Sequence, residues 1–180
     1  MEKMIKKKIY SWKDIETMCV SIVNQMYKDN WRPNYIVGIT RGGNVPATII
    51  SNMTGIRCES LKVSLRDDDA NSSESNCWMA EDAFGYPGQD SGGQGKNILI
   101  VDDINDTGAT FNWIKKDWQE ACLPNSQEWN TVWGNNVRWA VLTDNLASKF
   151  EHKINYTCDE VNKAEEDVWL VYPWENVGEY

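Results

Sequence analysis

The sequence predicts an α/β fold, a doubly wound and mainly parallel sheet with helices on both faces. Two observations carry this prediction. Short apolar segments that read as buried strands alternate along the chain with helical segments, which is the pattern of a parallel sheet with crossover helices. The length of 180 residues is typical of a single domain with one sizeable core. We therefore expect residues 1–180 to form one domain.

Spacing and composition locate the individual elements. Apolar side chains recur at helical spacing after Ser11 and Asp14, a pair that resembles a capping box. Pro46 is compatible with the second helix because proline is tolerated in a first helical turn. Continuous apolar runs bounded by turn residues predict buried strands. In chain order the predicted elements are a helix at 12–27, a strand at 35–40, a helix at 45–53, a strand at 59–65, a strand beginning at 98, a helix at about 108–122, and strands at 137–143 and 168–172.

Two segments fall outside this alternation. Residues 66–97 are rich in Asp, Asn, Ser, Gly and Gln, a composition with too little apolar surface to offset the entropy of ordering. A loop of this length in a compact domain is typical of a flexible lid, and Arg66 lies at its base. The connector 123–136 is polar but contains Trp129 and Trp133. It is either a partner surface or a small satellite core.

Composition narrows the class of protein. The net charge of −9 disfavours nucleic acid as a partner, because the phosphate backbone would be repelled. The basic run of Lys3, Lys6, Lys7 and Lys8 is expected to be a solvated N-terminus. Five cysteines without a C-x-x-C pair and a single histidine argue against a disulfide scaffold and a zinc site. With no apolar run near the 20 or so residues that span a bilayer and no signal-peptide pattern, we expect a cytoplasmic protein that does not bind membranes.

The stretch ILIVDDINDTGAT, residues 98–110, runs a buried strand into three aspartates. In an open parallel sheet, ligands bind at the carboxyl ends of the strands, and Asp102, Asp103 and Asp106 follow such a strand. The turn after them opens a helix, so its backbone N–H groups and two threonine hydroxyls form a nest suited to a phosphate. Three carboxylates beside a phosphate nest can hold the hydroxyls of a phosphorylated sugar and a divalent cation.

A simpler interpretation is that Asp102 and Asp103 merely end a strand and that Asp106 caps a helix. A second glycine-containing turn makes this interpretation weaker. Arg41, Gly42 and Gly43 follow another predicted strand and open another helix, which predicts a second anion-binding loop at the same sheet edge. Two adjoining anion sites with sugar ligands between them suggest a phosphorylated sugar that carries a second phosphate group.

At these residues the sequence resembles the type I phosphoribosyltransferases. Residues 98–110 are similar to that family's signature for 5-phosphoribosyl 1-diphosphate (PRPP), and GITRGGNVPA, residues 38–47, resembles its pyrophosphate loop. VWLVYPWE, residues 168–175, is similar to the small C-terminal hood of the xanthine-guanine and hypoxanthine enzymes. The resemblance spans about residues 9–175. It implies transfer of a phosphoribosyl group from PRPP to a 6-oxopurine, with Mg²⁺ as cofactor, release of pyrophosphate and a role in purine salvage.

The resemblance also implies a role for each matching residue. The catalytic residues would be Asp106, near purine N7, and Asp102 and Asp103, at the ribose hydroxyls. The 5-phosphate would be held by Thr107, Gly108, Ala109 and Thr110, and the pyrophosphate by Thr40, Arg41 and Gly42, with a cis Thr40–Arg41 peptide. The base would meet Trp169, Leu170 and Asn145, and magnesium would be held by Asp102, Asp103 and Glu175, where the family generally has aspartate at the last position.

One residue departs from the family pattern at the base. After the strand that matches 137–143, the 6-oxopurine enzymes generally carry a lysine whose ammonium donates to O6 of the purine. In this register Asn145 takes that position, and Lys149 follows four residues on. An uncharged amide donates a weaker hydrogen bond and can also accept one from a 6-amino group, so this alignment predicts weaker selectivity for 6-oxopurines. The alternatives are a PRPP-binding regulator without catalysis and a transferase for another nucleobase. A homo-oligomer, dimer or tetramer, is expected.

Overall fold

A computed structural model describes residues 5–63, 65, 77–85 and 94–175. Its central feature is a five-stranded sheet in which every neighbouring pair of strands is parallel. The strands lie in the order β3-β2-β4-β5-β6, so the chain winds outward in both directions from the middle. In chain order the elements are β1 (Lys6–Ile9), α1 (Trp12–Lys28), β2 (Tyr35–Thr40), α2 (Asn44–Thr54), β3 (Cys58–Lys62), α3 (Cys77–Phe84), β4 (Ile98–Asn105), α4 (Ala109–Ala121), β5 (Val137–Asn145), β6 (Tyr156–Val161) and β7 (Val168–Val171).

Helices cover both faces of this sheet, as predicted. Side chains alternate along a strand, so Ile98 and Ile100 of β4 face one side while Leu99 and Val101 face the other. The first side packs against α3 and α4, and the second packs against α1 and α2. Both faces of β4 are therefore buried, which explains its unbroken aliphatic sequence. Among the described residues, no helix is both long and apolar enough to cross a membrane.

The first helix begins as the sequence predicted. Ser11 is the N-cap of α1, its hydroxyl accepts from the Asp14 N–H at 3.1 Å, and the Asp14 carboxylate accepts from the Ser11 N–H at 2.7 Å. Each side chain thus satisfies one backbone donor that the helix leaves unpaired.

Two strands were missed in the sequence. Strand β1 is almost entirely lysine, and it is ordered by parallel pairing with β7, from Lys6 beside Val168 to Ile9 beside Val171. Lys6 also forms an exposed ion pair with Glu166 at 3.0 Å. Lys6 and Lys7 are exposed, as expected for a solvated basic run, but the ordered strand that they form with Lys8 was not predicted. Lys3 lies outside the described residues. The second missed strand, β6, is an edge strand whose sequence YTCDEV is too polar to read as buried.

The prediction of a continuous lid loop at 66–97 is wrong in its middle. Residues 77–84 form α3, and Met79, Ala80 and Ala83 are buried in the core. Tyr35 of β2 donates to the buried carboxylate of Asp82 at 2.9 Å, which fixes the helix to the sheet. Arg66, residues 66–76 and residues 86–93 of the predicted lid lie outside the described residues.

The tryptophan-rich connector packs into the main core and is neither an exposed partner surface nor a separate satellite core. One turn of 3₁₀ helix, Gln127–Thr131, begins at Ser126, whose hydroxyl accepts from the Glu128 N–H. Trp129 is 1% exposed, stacks on Trp133 with a centroid separation of 5.2 Å, and donates through Nε1 to the Cys122 carbonyl at 2.7 Å. These contacts extend the core of the sheet face that carries α3 and α4.

Trp129→Ala should lower the free energy of unfolding by about 3–5 kcal/mol, because it removes a buried aromatic ring and leaves a cavity. Chemical denaturation followed by circular dichroism measures this loss. Trp169→Ala is the matched control: the same residue type is removed where it is 61% exposed, and a change within about 0.5 kcal/mol is expected. Equal losses in the two variants would contradict the assignment of Trp129 to the core.

Candidate active site

The ends of β2 and β4 separate at one edge of the sheet and leave a cleft between them. Strands β2 and β4 pair only as far as Gly38 beside Val101, whereas β4 stays paired with β5 as far as Asn105 beside Asp144. A cleft of about 850 Å³ opens beyond the last β2–β4 pair. This is the position where open parallel sheets bind ligands.

The first loop of the cleft follows β2. The Thr40–Arg41 peptide is cis, which confirms the sequence prediction. At Gly42 a Cβ atom would lie 2.2 Å from Asp103 Oδ2, and at Gly43 it would lie 2.5 Å from the Val101 carbonyl oxygen. Both distances are shorter than any real contact, so a side chain at either position would push the loop away from β4.

The second loop follows β4 and opens α4. Gly108 is the N-cap of α4, with φ of 89°, and a Cβ there would lie 2.3 Å from the backbone nitrogen of Phe150. The interpretation of Asp106 as the helix cap is therefore wrong. Because glycine brings no capping side chain, the first turn of α4 presents backbone N–H groups and the positive end of the helix dipole at the cleft. This arrangement suits a phosphate group.

Two neighbouring carboxylates lie between these loops. Asp102 Oδ1 accepts from the Asp103 N–H at 2.9 Å, and Asp103 Oδ1 accepts from the Ile104 N–H at 2.9 Å. Burial, followed by the charge of Asp103, raises the pKa of Asp102 well above its usual range. A bound cation between the two groups would relieve this repulsion and favour the ionised form.

The carboxylate of Asp106 is held by Asn145, at the end of β5, and by Lys163, in the turn after β6. Asn145 Nδ2 donates to the Asp106 carbonyl at 2.9 Å and to Asp106 Oδ1 at 3.3 Å. Lys163 Nζ forms an ion pair with the same Oδ1 at 3.0 Å. Asn145 is 6% exposed, and its oxygen accepts from the backbone N–H groups of Ala147 and Lys163. The amide donors and acceptor of Asn145 are thus engaged by other groups of the protein. This arrangement does not support the predicted contact between Asn145 and the base.

Strands β1 and β7 form the hood, which a buried hydroxyl network joins to the sheet. The Tyr172 hydroxyl donates to the backbone carbonyl of Asp103 at 3.1 Å and lies 3.0 Å from the Thr143 hydroxyl. The Tyr10 hydroxyl lies 3.0 Å from the same Thr143 hydroxyl and donates to Asp159 at 2.6 Å. Burial raises the pKa of both tyrosines, so both stay protonated and can donate. The network fixes the hood against the end of β4 that carries Asp102 and Asp103.

The hood residues differ in how they meet the cleft. Trp174 lines it and stacks on Tyr172 with a centroid separation of 5.0 Å. Glu175 also lines it, and its carboxylate accepts from the Tyr172 N–H at 3.3 Å. Trp169 is 61% exposed, and the Leu170 side chain is buried.

The structure brings the predicted phosphate, ribose and metal residues together at one cleft. The predicted residues that line it are Thr40, Arg41, Gly42, Asp102, Asp103, Asp106, Thr107, Gly108, Ala109, Thr110 and Glu175. The three predicted base contacts, Trp169, Leu170 and Asn145, do not line it. Among the described residues, no group of three or more acidic, histidine or cysteine side chains is arranged to hold a metal ion. The carboxylates here do fit Mg²⁺, which prefers oxygen ligands and is commonly held by one or two carboxylates plus substrate phosphates.

Sequence reasoning missed Lys163, Tyr172 and Trp174 as site residues. The signal for Lys163 is its position in DEVNKAEED, where it is the one basic residue in an acidic stretch. Tyr172 and Trp174 lie inside the hood motif. The role of Tyr172 depends on Thr143 and Asp103, which are distant in the chain, and Trp174 stacks on Tyr172.

Comparison with known proteins identifies the family. The model of the phosphoribosyl transferase domain matches residues 6–173. The chain is 26% identical to the hypoxanthine-guanine phosphoribosyltransferase of Schizosaccharomyces pombe, over 92% of this chain and 87% of that protein. It is also 26% identical to the xanthine-guanine phosphoribosyltransferase of Cereibacter sphaeroides, over 84% of this chain and 75% of that protein.

A solved structure has the same fold. The purine phosphoribosyltransferase of Pyrococcus horikoshii superposes with a TM-score of 0.64 at 18% identity, covering 98% of this chain and 99% of that one. The predicted fold class is thus confirmed, both by the parallel sheet itself and by this similarity. Since the family model spans nearly the whole described chain, this protein belongs to the phosphoribosyl transferase domain family.

Proposed function

We propose that this chain transfers the phosphoribosyl group of PRPP to a 6-oxopurine base and releases pyrophosphate, as in purine salvage. The observation that carries the proposal is the cleft at the ends of β2 and β4, which two glycine-containing loops and the paired carboxylates of Asp102 and Asp103 line together. The relatives named for hypoxanthine, guanine and xanthine support a purine as the acceptor. Assembly into a dimer or tetramer stays a prediction.

The two loops match the two phosphate-bearing ends of PRPP. The 5-phosphate meets residues 107–110, because the first turn of α4 offers N–H donors in addition to the Ala109 N–H, which donates to Thr107 Oγ1 at 3.2 Å. The pyrophosphate meets residues 40–42, which line the same cleft. The ribose lies between them, where Asp102 and Asp103 accept hydrogen bonds from its 2- and 3-hydroxyls.

The carboxylates also serve the reaction at C1 of ribose. Loss of pyrophosphate gives C1 oxocarbenium character, as in glycoside hydrolysis, and nearby negative charge stabilises that state. Asp106 faces N7 of the purine, where its carboxylate accepts or returns a proton. Magnesium held by Asp102, Asp103 and Glu175 would neutralise the departing pyrophosphate.

The hood supplies the remaining contacts to the base. Trp169 has an exposed ring that is available to stack on a purine, a geometry that suits aromatic pairs. The neighbouring Leu170 has its side chain in the core, so its contribution to the base is limited to backbone groups.

Pyrophosphate release from PRPP and magnesium tests the proposal directly. We expect release with hypoxanthine, guanine or xanthine, and much less with adenine, uracil or orotate. Release with a pyrimidine alone would favour a transferase for another nucleobase. PRPP binding without release for any base would favour the non-catalytic regulator and overturn the proposal.

Asp106→Asn should lower kcat by about 10²- to 10⁴-fold, the usual contribution of a general acid or base, while PRPP affinity stays close to that of the unaltered chain. Steady-state kinetics and calorimetric PRPP binding separate the two effects. The matched control is Asp29→Asn, an exposed aspartate at the C-terminal end of α1, on the opposite edge of the sheet. A normal kcat in Asp106→Asn would remove Asp106 from the reaction.

Gly108→Ala should weaken PRPP binding and destabilise the fold, because the added Cβ meets the backbone of Phe150. Gly134→Ala is the matched control: its φ of 78° is similarly positive, but its Cβ would meet nothing nearer than 3.9 Å. The control should lose about 1–2 kcal/mol of stability, the cost of the left-handed backbone alone, and keep its PRPP affinity. Identical stability and affinity in both variants would contradict the close approach of the 107–110 loop to Phe150.

A further inference from the structure

Lys163 forms an ion pair with the carboxylate that we assign to the purine. It lies in the turn between β6 and β7, and its Nζ is 3.0 Å from Asp106 Oδ1. The lysine side chain is 27% exposed and the aspartate side chain 43%, so both are partly open to solvent. Asp106 lines the cleft, and Lys163 lies beside it through the ion pair.

The buried amide of Asn145 fixes the backbone on which Lys163 stands. Its nitrogen faces two acceptors, the carbonyl and the carboxylate of Asp106, and its oxygen faces two donors, the N–H groups of Ala147 and Lys163. An amide has two N–H donors and two acceptor lone pairs, so these four contacts use its full capacity. They also fix its orientation, because rotation by 180° would place like groups together.

The turn that carries Lys163 has its own local support. Asn162 accepts through its side-chain oxygen from the Ala164 N–H at 3.1 Å, and its backbone carbonyl accepts from the N–H groups of Glu165 and Glu166. With Asn145 holding the Lys163 N–H at 3.1 Å, the lysine side chain begins from a fixed point beside Asp106.

The ammonium of Lys163 has donors to spare. A lysine carries three N–H donors and no acceptor, and among the described residues Asp106 is the ion-pair partner of Lys163. An acceptor that arrives next to Asp106 can therefore take a charged hydrogen bond without breaking the ion pair.

We infer that Lys163 is the residue that selects a 6-oxopurine, by donating to O6 of the base whose N7 faces Asp106. This inference rests on the proposed function. In a purine, N7 and the substituent at C6 lie on one edge, and lysine or arginine pairs with the O6 and N7 acceptors of guanine there. Adenine presents an amino donor at the same place, and a donor facing an ammonium is rejected. Asn145 is then a positioning residue for Lys163 and Asp106.

This assignment reverses the expectation drawn from Asn145. An amide at O6 would select 6-oxopurines weakly, whereas a lysine restores the charge-assisted hydrogen bond. The chain thus uses the turn after β6, rather than the end of β5, to bring a cation to the base.

The test is the ratio of kcat/KM for hypoxanthine to that for adenine in Lys163→Met and Lys163→Arg. We expect Lys163→Met to lower the ratio by roughly 10- to 100-fold, the effect of one hydrogen bond to a charged group, with PRPP affinity unchanged. Lys163→Arg should retain most of the preference. The control Lys6→Met removes an exposed ion pair to the same β6–β7 connection, through Glu166, and should leave the ratio unchanged.

Two further results separate failure of this inference from failure of the proposed function. If Lys163→Met lowers kcat/KM equally for both bases, Lys163 merely holds Asp106 in place, and the inference is overturned while the proposed function stands. If the chain turns over neither base, calorimetric binding of inosine monophosphate and adenosine monophosphate replaces the kinetic test. Binding of the inosine nucleotide that falls in Lys163→Met supports the inference, unchanged binding overturns it, and binding of neither nucleotide to the unaltered chain overturns both.

Discussion

The site depends on the register in which β4 pairs with its two neighbours. Pairing with β2 stops at Gly38 beside Val101, and pairing with β5 continues for four more residues of β4, to Asn105. The early divergence of β2 leaves space for a ligand, and the continued pairing with β5 keeps the aspartates supported from one side. The glycines at 42 and 43 let the β2 loop turn back against β4. A slip of one residue in this register would reverse the faces of the β4 side chains and remove the cleft.

The hood and the sheet are coupled through buried oxygen atoms rather than through apolar packing alone. Thr143, in β5, meets both Tyr172 and Tyr10, and Tyr172 continues to the carbonyl of Asp103. Buried polar networks that are fully paired hold one arrangement firmly, because any unpaired group in them is costly. The hood, which we propose contacts the base, is thereby fixed to the end of β4, which we propose contacts the ribose. The paired carboxylates have a cost in the ligand-free protein. Burial and the charge of Asp103 raise the pKa of Asp102 and so disfavour its ionised form, whereas a bound cation would favour that form.

The sequence predicted the parts whose signal is local. The β4 run with its aspartates, the capping box of α1 and the alternation of the inner strands with helices along the chain depend on neighbouring residues, and all of them agree with the structure. Strands β1 and β6 were missed because pairing partners, not their own polar sequences, stabilise them. Helix α3 was missed because Met79, Ala80 and Ala83 are too few to show a period. The place of Lys163 beside Asp106 could not be predicted, since it depends on a turn 57 positions further along the chain.

The central claim is that the cleft is arranged for both phosphate-bearing ends of PRPP at once. Calorimetric titration of PRPP with magnesium into the ligand-free chain tests it most directly, with ribose 5-phosphate and pyrophosphate as separate competitors. The account predicts one PRPP bound per chain and displacement by each competitor, because residues 107–110 and residues 40–42 each hold one end. A folded chain that binds no PRPP, or that binds PRPP undisturbed by ribose 5-phosphate, would contradict it.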